Sequence, residues 1–126
     1  MALACRLPHD PDRERRMRLL AATAPPVHFV AADARRVPLS GPVDILLCNG
    51  LVGGPYLHRE EDAHALLREC RRLLGPDGVL LVANRFHDGR RPEVERVVEL
   101  ARATGWTARG DWRSLRLSPE AQSVSR

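Results

Sequence analysis

The sequence predicts an α/β fold: a mostly parallel sheet with helices on both faces, completed by a C-terminal antiparallel hairpin. Three observations carry this. Residues 27–32, 43–48 and 79–83 are nearly continuous apolar runs, the pattern of strands covered on both faces. Between the second and third runs, Ala63, Leu66, Leu67, Cys70, Leu73 and Leu74 recur at spacings of three and four, the stripe of an amphipathic helix. Strands alternating with helices imply parallel pairing through right-handed crossovers.

The elements follow in order. Residues 2–7 form a short apolar run, a possible strand. Asp10-Pro11 supplies an acceptor cap and a first-turn proline, so a helix is predicted over 10–24, ended by Pro25-Pro26. The 59–74 helix carries Arg59, Glu60, Glu61 and Asp62 at its start and Arg71 and Arg72 at its end; the acidic start and basic end suit the helix dipole. Gly75 is expected to stop it, and Pro76-Asp77-Gly78 to turn the chain into the next strand. Pro92 opens a further helix with Val94, Val97, Val98 and Ala101 on one face, ended by Gly105. Segments 106–109 and 112–117 are expected to pair as a hairpin turning at Gly110-Asp111. Residues 118–126 read as a frayed polar tail, leaving one domain over 1–117.

Composition narrows the function. With 126 residues the chain can bury one core without disulfides or metal. Aromatics are only 4%, so Leu, Val and Ala must build that core. The net charge is +4 and all 20 basic residues are arginine, dispersed among acids and not interleaved with aromatics. No nucleic-acid partner is therefore expected. Cysteines 5, 48 and 70 form no CxxC pair or zinc pattern, and a reducing cytoplasm is expected. No apolar run approaches the roughly 18 residues of a membrane span, and no signal peptide is read. The five histidines show no metal spacing.

Polar residues at strand ends are the candidates for chemistry, because open α/β sheets place ligands there. Asp33 ends the 27–32 run; its carboxylate can accept from an exocyclic amine or cap a turn through its own side chain. Asn49 and Gly50 end the next strand, where an amide beside a glycine suits close ligand approach, or forms a plain turn. Cys48 reads as a buried small hydrophobe and Asp44 as structural. Gly53-Gly54-Pro55 is expected to be a mobile loop, with Tyr56 and His58 beyond it facing a substrate. His58 titrates near neutrality and so suits a general base, or else is solvated or a cap partner. Asn84, Arg85, Phe86 and His87 follow the 79–83 strand, either bordering the site or forming a simple exit loop. Gly53-Gly54 is no phosphate loop, since no Lys-Ser or Lys-Thr follows.

Taken together, Asp33-Ala34-Arg35-Arg36-Val37-Pro38-Leu39, the strand ending in Asn49-Gly50, the Leu-rich helix and Gly75-Pro76-Asp77-Gly78 resemble the later part of a class I S-adenosylmethionine-dependent methyltransferase. The resemblance implies a Rossmann-like sheet, S-adenosylmethionine as cofactor and methyl transfer to a small-molecule acceptor. Asp33 would meet the adenine amino group and Ala34 would offer its N–H to the ring. Asn49 and Gly50 would face donor and acceptor, and Tyr56 and His58 would be the catalytic candidates. The family's first strand and glycine-rich turn have no counterpart here, and its ribose-binding acid would fall near Pro8. The domain is thus expected to be N-terminally truncated and weak or inactive in this form. The alternative expectation is a degenerate, non-catalytic module that binds a partner chain, or forms a homodimer, through an open sheet edge.

Overall fold

The computed structural model describes residues 2–4, 15, 18, 27–30, 32–54, 57, 59–85 and 88–120. The chain divides into two compact units, Met1–Leu39 and Ser40–Arg126.

In the first unit, β1 (Ala2–Ala4) and β2 (Val27–Phe29) form a parallel two-stranded sheet, with Ala2 opposite Val27 and Ala4 opposite Phe29. β2 is shorter than the apolar run that predicts it, since Val30 and Ala32 are no longer strand; residues 5–7 of the first run lie outside the described residues. Of the helix expected over 10–24, Arg15 and Arg18 are described, and both are helical and exposed.

The second unit runs β3 (Val43–Asn49), α1 (Glu60–Leu73), β4 (Leu74–Ala83), a 3-10 turn (Asp88–Arg90), α2 (Arg91–Ala103), β5 (Trp106–Asp111) and β6 (Ser114–Pro119). Its sheet order is β3-β4-β6-β5, with β3 and β4 parallel and the hairpin antiparallel to β4. This is a mixed α/β, Rossmann-like arrangement with the parallel crossover first and the hairpin last.

Strand alternation separates the sheet's two faces. Leu80 stands opposite Leu117 and Val82 opposite Leu115, and all four are buried together with Trp106. Helix α1 contributes Ala63, Leu66, Leu67, Cys70 and Leu73 to the core, and α2 contributes Val94, Val97, Val98 and Ala101. The two helices touch each other, so both lie on this one face. The other face presents Thr107, Arg109, Arg116 and Leu81, all exposed. On β3 the same face shows Ile45 at 61% and Leu47 at 70% exposure.

Two boundaries differ from expectation for local reasons. Helix α1 ends at Leu73 because Leu74 is already extended (φ −77°, ψ 140°) and pairs with Val43. No left-handed glycine closes the helix; residues 75–78 fall instead where the ladder register shifts, between the Val43 and Ile45 pairings. The hairpin turns at Trp112-Arg113, two residues beyond Gly110-Asp111. Oδ1 of Asp111 accepts from the N–H groups of Arg113 (2.9 Å) and Ser114 (3.1 Å), so the aspartate closes the turn from its first corner. Gly110 stays within β5 at φ 101°, where a Cβ would sit 2.2 Å from the Ser114 carbonyl oxygen. Residues 118 and 119 are strand rather than tail, and 121–126 lie outside the described residues.

Arg71 ties the elements together. Its guanidinium donates to the carbonyls of Gly105 (3.1 Å), Thr104 (3.4 Å) and Glu120 (3.5 Å), linking α1 to the end of α2 and the end of β6.

Candidate functional site

The sequence candidates fall in both units. In the first, Asp33 forms a tight turn with Arg36, whose N–H donates to the Asp33 carbonyl at 2.9 Å. Oδ1 of Asp33 accepts from the Arg35 N–H (2.9 Å) and Nε (3.0 Å), and Oδ2 accepts from Arg35 Nη2 at 2.6 Å. The Arg35 guanidinium holds the carboxyl below its ordinary value of 3.8, against partial desolvation. The turn-capping use of Asp33 is thus realised. A carboxylate offers about four acceptor sites, so one on Oδ2 remains. Beside it, the N–H of Ala34 makes no hydrogen bond to a described residue. One spare acceptor next to one spare N–H donor is the pair an aminated nitrogen heterocycle needs along its edge.

In the second unit, Asn49 and Gly50 stand at the carboxyl end of β3. Asn49 pairs with Ala83, and the Gly50 N–H donates to the Ala83 carbonyl at 2.8 Å, so the two parallel strands end level. Both residues are exposed, and the Asn49 amide has no partner among the described residues. Gly50 has φ 71° with nothing within 4 Å of where a Cβ would be. Its backbone is open to a ligand.

Asn84, the residue after β4, is 4% exposed. Its Nδ2 donates to the Trp112 carbonyl at 2.8 Å, and its N–H to the Arg113 carbonyl at 2.9 Å. Asn84 therefore anchors the hairpin turn to the end of β4. Its Oδ1 is buried without a partner among the described residues.

The glycine loop differs from its expected mobile form. Val52, Gly53, Gly54 and Leu57 are buried, and Gly54 N–H to Leu51 O (3.1 Å) and Leu57 N–H to Gly54 O (3.2 Å) make successive turns. Gly53 lies against α2, where a Cβ would approach Val94 Cγ2 to 2.6 Å. Gly53 serves close packing here. Pro55, Tyr56, His58, Phe86 and His87 lie outside the described residues.

Cys48 is half-buried, and desolvation pushes its thiol up to about 11, while the N–H groups of Val52 and Leu51 pull the other way. A thiol so protonated is no nucleophile at neutral pH. Among the described residues no group of His, Cys, Asp and Glu could hold a metal ion, and no helix is long and apolar enough to cross a membrane.

Fold and strand ends thus define an α/β protein with exposed polar residues, Asn49 and Gly50, at the carboxyl end of its first parallel strand in the second unit. Residues 9–82 match the family model of the methyltransferase domain, so the chain belongs to that family. No curated protein matches it in sequence. Among solved structures it is similar to the PH0226 protein of Pyrococcus horikoshii OT3, at TM-score 0.66 and 15% identity, over 95% of this chain and 71% of that one. It is similar to NcsB1, an O-methyltransferase from neocarzinostatin biosynthesis solved with S-adenosyl-L-homocysteine and 1,4-dihydroxy-2-naphthoic acid. That match has TM-score 0.63 and 18% identity, over 93% of this chain and 41% of NcsB1. A third is the 1,6-didemethyltoxoflavin-N1-methyltransferase of Burkholderia thailandensis, solved with 1,6-didemethyltoxoflavin and S-adenosylhomocysteine. Here the TM-score is 0.56 and the identity 20%, over 91% of this chain and 58% of that one. The chain spans less than half of NcsB1 and under two thirds of the toxoflavin enzyme.

Proposed function

We propose that this chain serves S-adenosylmethionine-dependent methyl transfer to a small-molecule acceptor, with Asp33, Ala34, Asn49 and Gly50 contributing to cofactor binding. The observation that carries this reading is the carboxyl end of β3, where an unpartnered Asn49 amide adjoins an open Gly50 backbone. Support comes also from family membership and from relatives solved with the demethylated cofactor beside small aromatic compounds.

The cofactor supplies an electrophilic methyl on a sulfonium, which passes to an acceptor nucleophile. This chain's residues then have two tasks. The spare acceptor of Asp33 and the N–H of Ala34 recognise the adenine edge, and Asn49 and Gly50 shape the space where donor meets acceptor. Such catalysis rests mainly on alignment and exclusion of water. Tyr56 and His58 follow on the same segment and are the proposed acceptor-handling pair, His58 as base where the acceptor carries a proton.

Calorimetric titration with S-adenosylhomocysteine tests this. Saturable binding is expected, weakened about tenfold or more by Asp33→Asn, which places a donor where the adenine amine needs an acceptor. Asn49→Ala weakens it too. Absence of binding, or binding indifferent to both changes, refutes the reading.

A second reading rests on a separate observation. β3 is an end strand of its sheet, and its apolar Ile45 and Leu47 are exposed. An edge without a ladder partner among the described residues can template strand addition. On this reading the chain is a non-catalytic module whose β3 edge pairs with a second copy. Sedimentation should then show concentration-dependent association that Leu47→Lys abolishes without loss of fold; a monomer at all concentrations counts against it.

A further inference from the structure

Helices α1 and α2 share one face of the second unit's sheet, and no described element covers the other. Ladder register aligns the side chains of that open face in rows. Leu47 stands opposite Leu81, Leu81 opposite Arg116 and Arg116 opposite Arg109, so one row crosses all four strands. In the next row Ile45 stands opposite Val79. Ile45, Leu47 and Leu81 are exposed, and Val79 is half-buried. The face is therefore divided into an apolar block on β3 and β4 and a basic block on β6 and β5. Arg109 and Arg116 are exposed, and neither makes an ion pair or hydrogen bond with a described residue. Like charges directly opposite on neighbouring strands are destabilising. Asp111 follows Arg109 on the same face, but no ion pair joins it to either arginine, and its Oδ1 is taken by the N–H groups of Arg113 and Ser114. β3 and β4 are joined through a crossover helix, and parallel strands of this kind are ordinarily covered on both faces. Uncovered apolar side chains adjoin two guanidiniums that lack acids, and one partner can satisfy both.

We propose that this open face docks an acidic amphipathic helix of another chain, its apolar stripe along β3 and β4 and its flanking carboxylates on Arg116 and Arg109. Each feature selects one part of that partner. Successive helical turns rise about 5.4 Å, close to the roughly 6.6 Å between side-chain rows on a strand. Apolar residues one turn apart therefore meet Ile45 with Val79, then Leu47 with Leu81. A helix is about 10–12 Å across and strands lie about 4.8 Å apart, so a helix centred on β3 and β4 sets its flank over β6. A glutamate on that flank reaches Arg116, and a longer reach meets Arg109; guanidinium and carboxylate pair in bidentate fashion. A basic helix is repelled by the same two residues. An anionic bilayer suits the face less, because no Trp or Tyr stands among its exposed positions to anchor it. The docking needs no S-adenosylmethionine, and strand pairing at the β3 edge leaves the face open, so it stands apart from both methyl transfer and self-association.

The test is a titration of the full chain, without cofactor, with an acetylated helical peptide carrying leucines along one stripe and glutamates on its flanks. Its controls are the same peptide with lysine for glutamate, a scrambled peptide of the same composition, and phosphatidylglycerol vesicles. Calorimetry measures affinity, and amide shifts locate the contact. Saturable binding of the acidic peptide is expected, with shifts on β3, β4 and β6. The basic and scrambled peptides bind about tenfold more weakly or not at all. Arg109→Glu with Arg116→Glu inverts the preference, so that the basic peptide binds better than the acidic one. Leu47→Ser with Leu81→Ser weakens the acidic peptide about tenfold. All four positions are exposed, and circular dichroism confirms the fold of both double variants. Equal binding of acidic and basic peptides, a preference that the arginine reversals leave unchanged, binding to the vesicles alone, or no binding of the acidic peptide by the folded wild-type chain overturns the proposal.

Discussion

Gly53→Ala is expected to destabilise the second unit by about 2–4 kcal/mol, and Gly50→Ala, three residues away, supplies its control. Both glycines have left-handed backbones, φ 78° at Gly53 and φ 71° at Gly50. A Cβ in that region costs about 1–2 kcal/mol. Part is offset by about 0.4–1 kcal/mol because alanine narrows the unfolded ensemble. At Gly50 nothing lies within 4 Å, so the backbone cost stands alone and the net loss is about 1 kcal/mol. At Gly53 the new methyl meets Val94 Cγ2 at 2.6 Å and the Val94 backbone nitrogen at 3.2 Å. Val94 is fully buried on α2 and has nowhere to retreat. Overpacking of this kind adds about 1–3 kcal/mol. Urea unfolding followed by the fluorescence of the core residue Trp106 measures both variants. Adding Val94→Ala to Gly53→Ala removes the clashing methyl, so the double mutant should be more stable than the two single costs predict, by about 1 kcal/mol or more. A Gly53→Ala cost no greater than that of Gly50→Ala refutes the close approach of Gly53 to Val94.

Three further outcomes follow from the geometry. The Asp33 carboxyl titrates below 3.8 in the folded chain, so its contribution is complete above that pH and is lost only as pH falls through the folded value. Side-chain NMR should place the midpoint below 3.8, and Arg35→Ala should raise it. The Cys48 thiol, at about 11, holds about one thiolate in a thousand at pH 8, against about one in ten at its ordinary 9.0, so site-resolved alkylation should be slow until unfolding. The same upward shift means that stability attributable to this thiol falls as pH rises above 9.0. Arg71→Ala removes donors to three backbone carbonyls and should cost about 1–2 kcal/mol. Arg71→Lys should recover little of this, because a single ammonium cannot spread across sites on two elements. Hydrogen exchange should quicken at the Glu120 amide, which donates to Gly105 in the same cluster.

Much of the fold was legible because burial imposes period. The stripe of Ala63, Leu66, Leu67, Cys70 and Leu73 faces the core as its spacing requires, and so does that of Val94, Val97, Val98 and Ala101. What resisted reading was decided by side chains competing locally or by distant partners. Gly110-Asp111 has the composition of a two-residue turn, yet Asp111 lends its carboxylate to the next two N–H groups and shifts the turn onward. Gly75 has the composition of a helix stop, yet pairing of Leu74 with Val43 ends the helix first. Gly53 looks like flexibility in sequence because Val94, the reason for it, lies 41 positions away. For the site, Asn49 and Gly50 stand at the end of β3 as the apolar run implies, whereas Asp33 lies four residues beyond the end of β2, in a turn of its own. The Arg35 clamp that consumes most of Asp33's acceptor capacity shows only in the geometry, as does the buried anchor role of Asn84.

β3 is where sequence and surroundings disagree most, and the mismatch sets the strength of any self-association. Its composition is that of a strand buried on both faces, but Ile45 and Leu47 are 61% and 70% exposed. Full burial of such side chains is worth about 1.5–3 kcal/mol each, so covering the exposed fractions gains about 2–4 kcal/mol per chain. In an isologous antiparallel pair centred on Leu46, Ile45 of one copy meets Leu47 of the other on the same face, and no like charges stand opposite. Two copies together then gain about 4–8 kcal/mol, against an association cost of about 4–15 kcal/mol. The side chains alone therefore do no better than break even, and the backbone ladder along β3 has to supply the surplus. A proline within β3 tests that division: the Gly50 N–H points to β4, so the N–H groups of residues 46 and 48 do too, and those of 45, 47 and 49 face the free edge. Asn49→Pro removes one edge donor while sparing Ile45 and Leu47, and should weaken association as Leu47→Lys does. Association indifferent to a proline on that edge is not strand pairing.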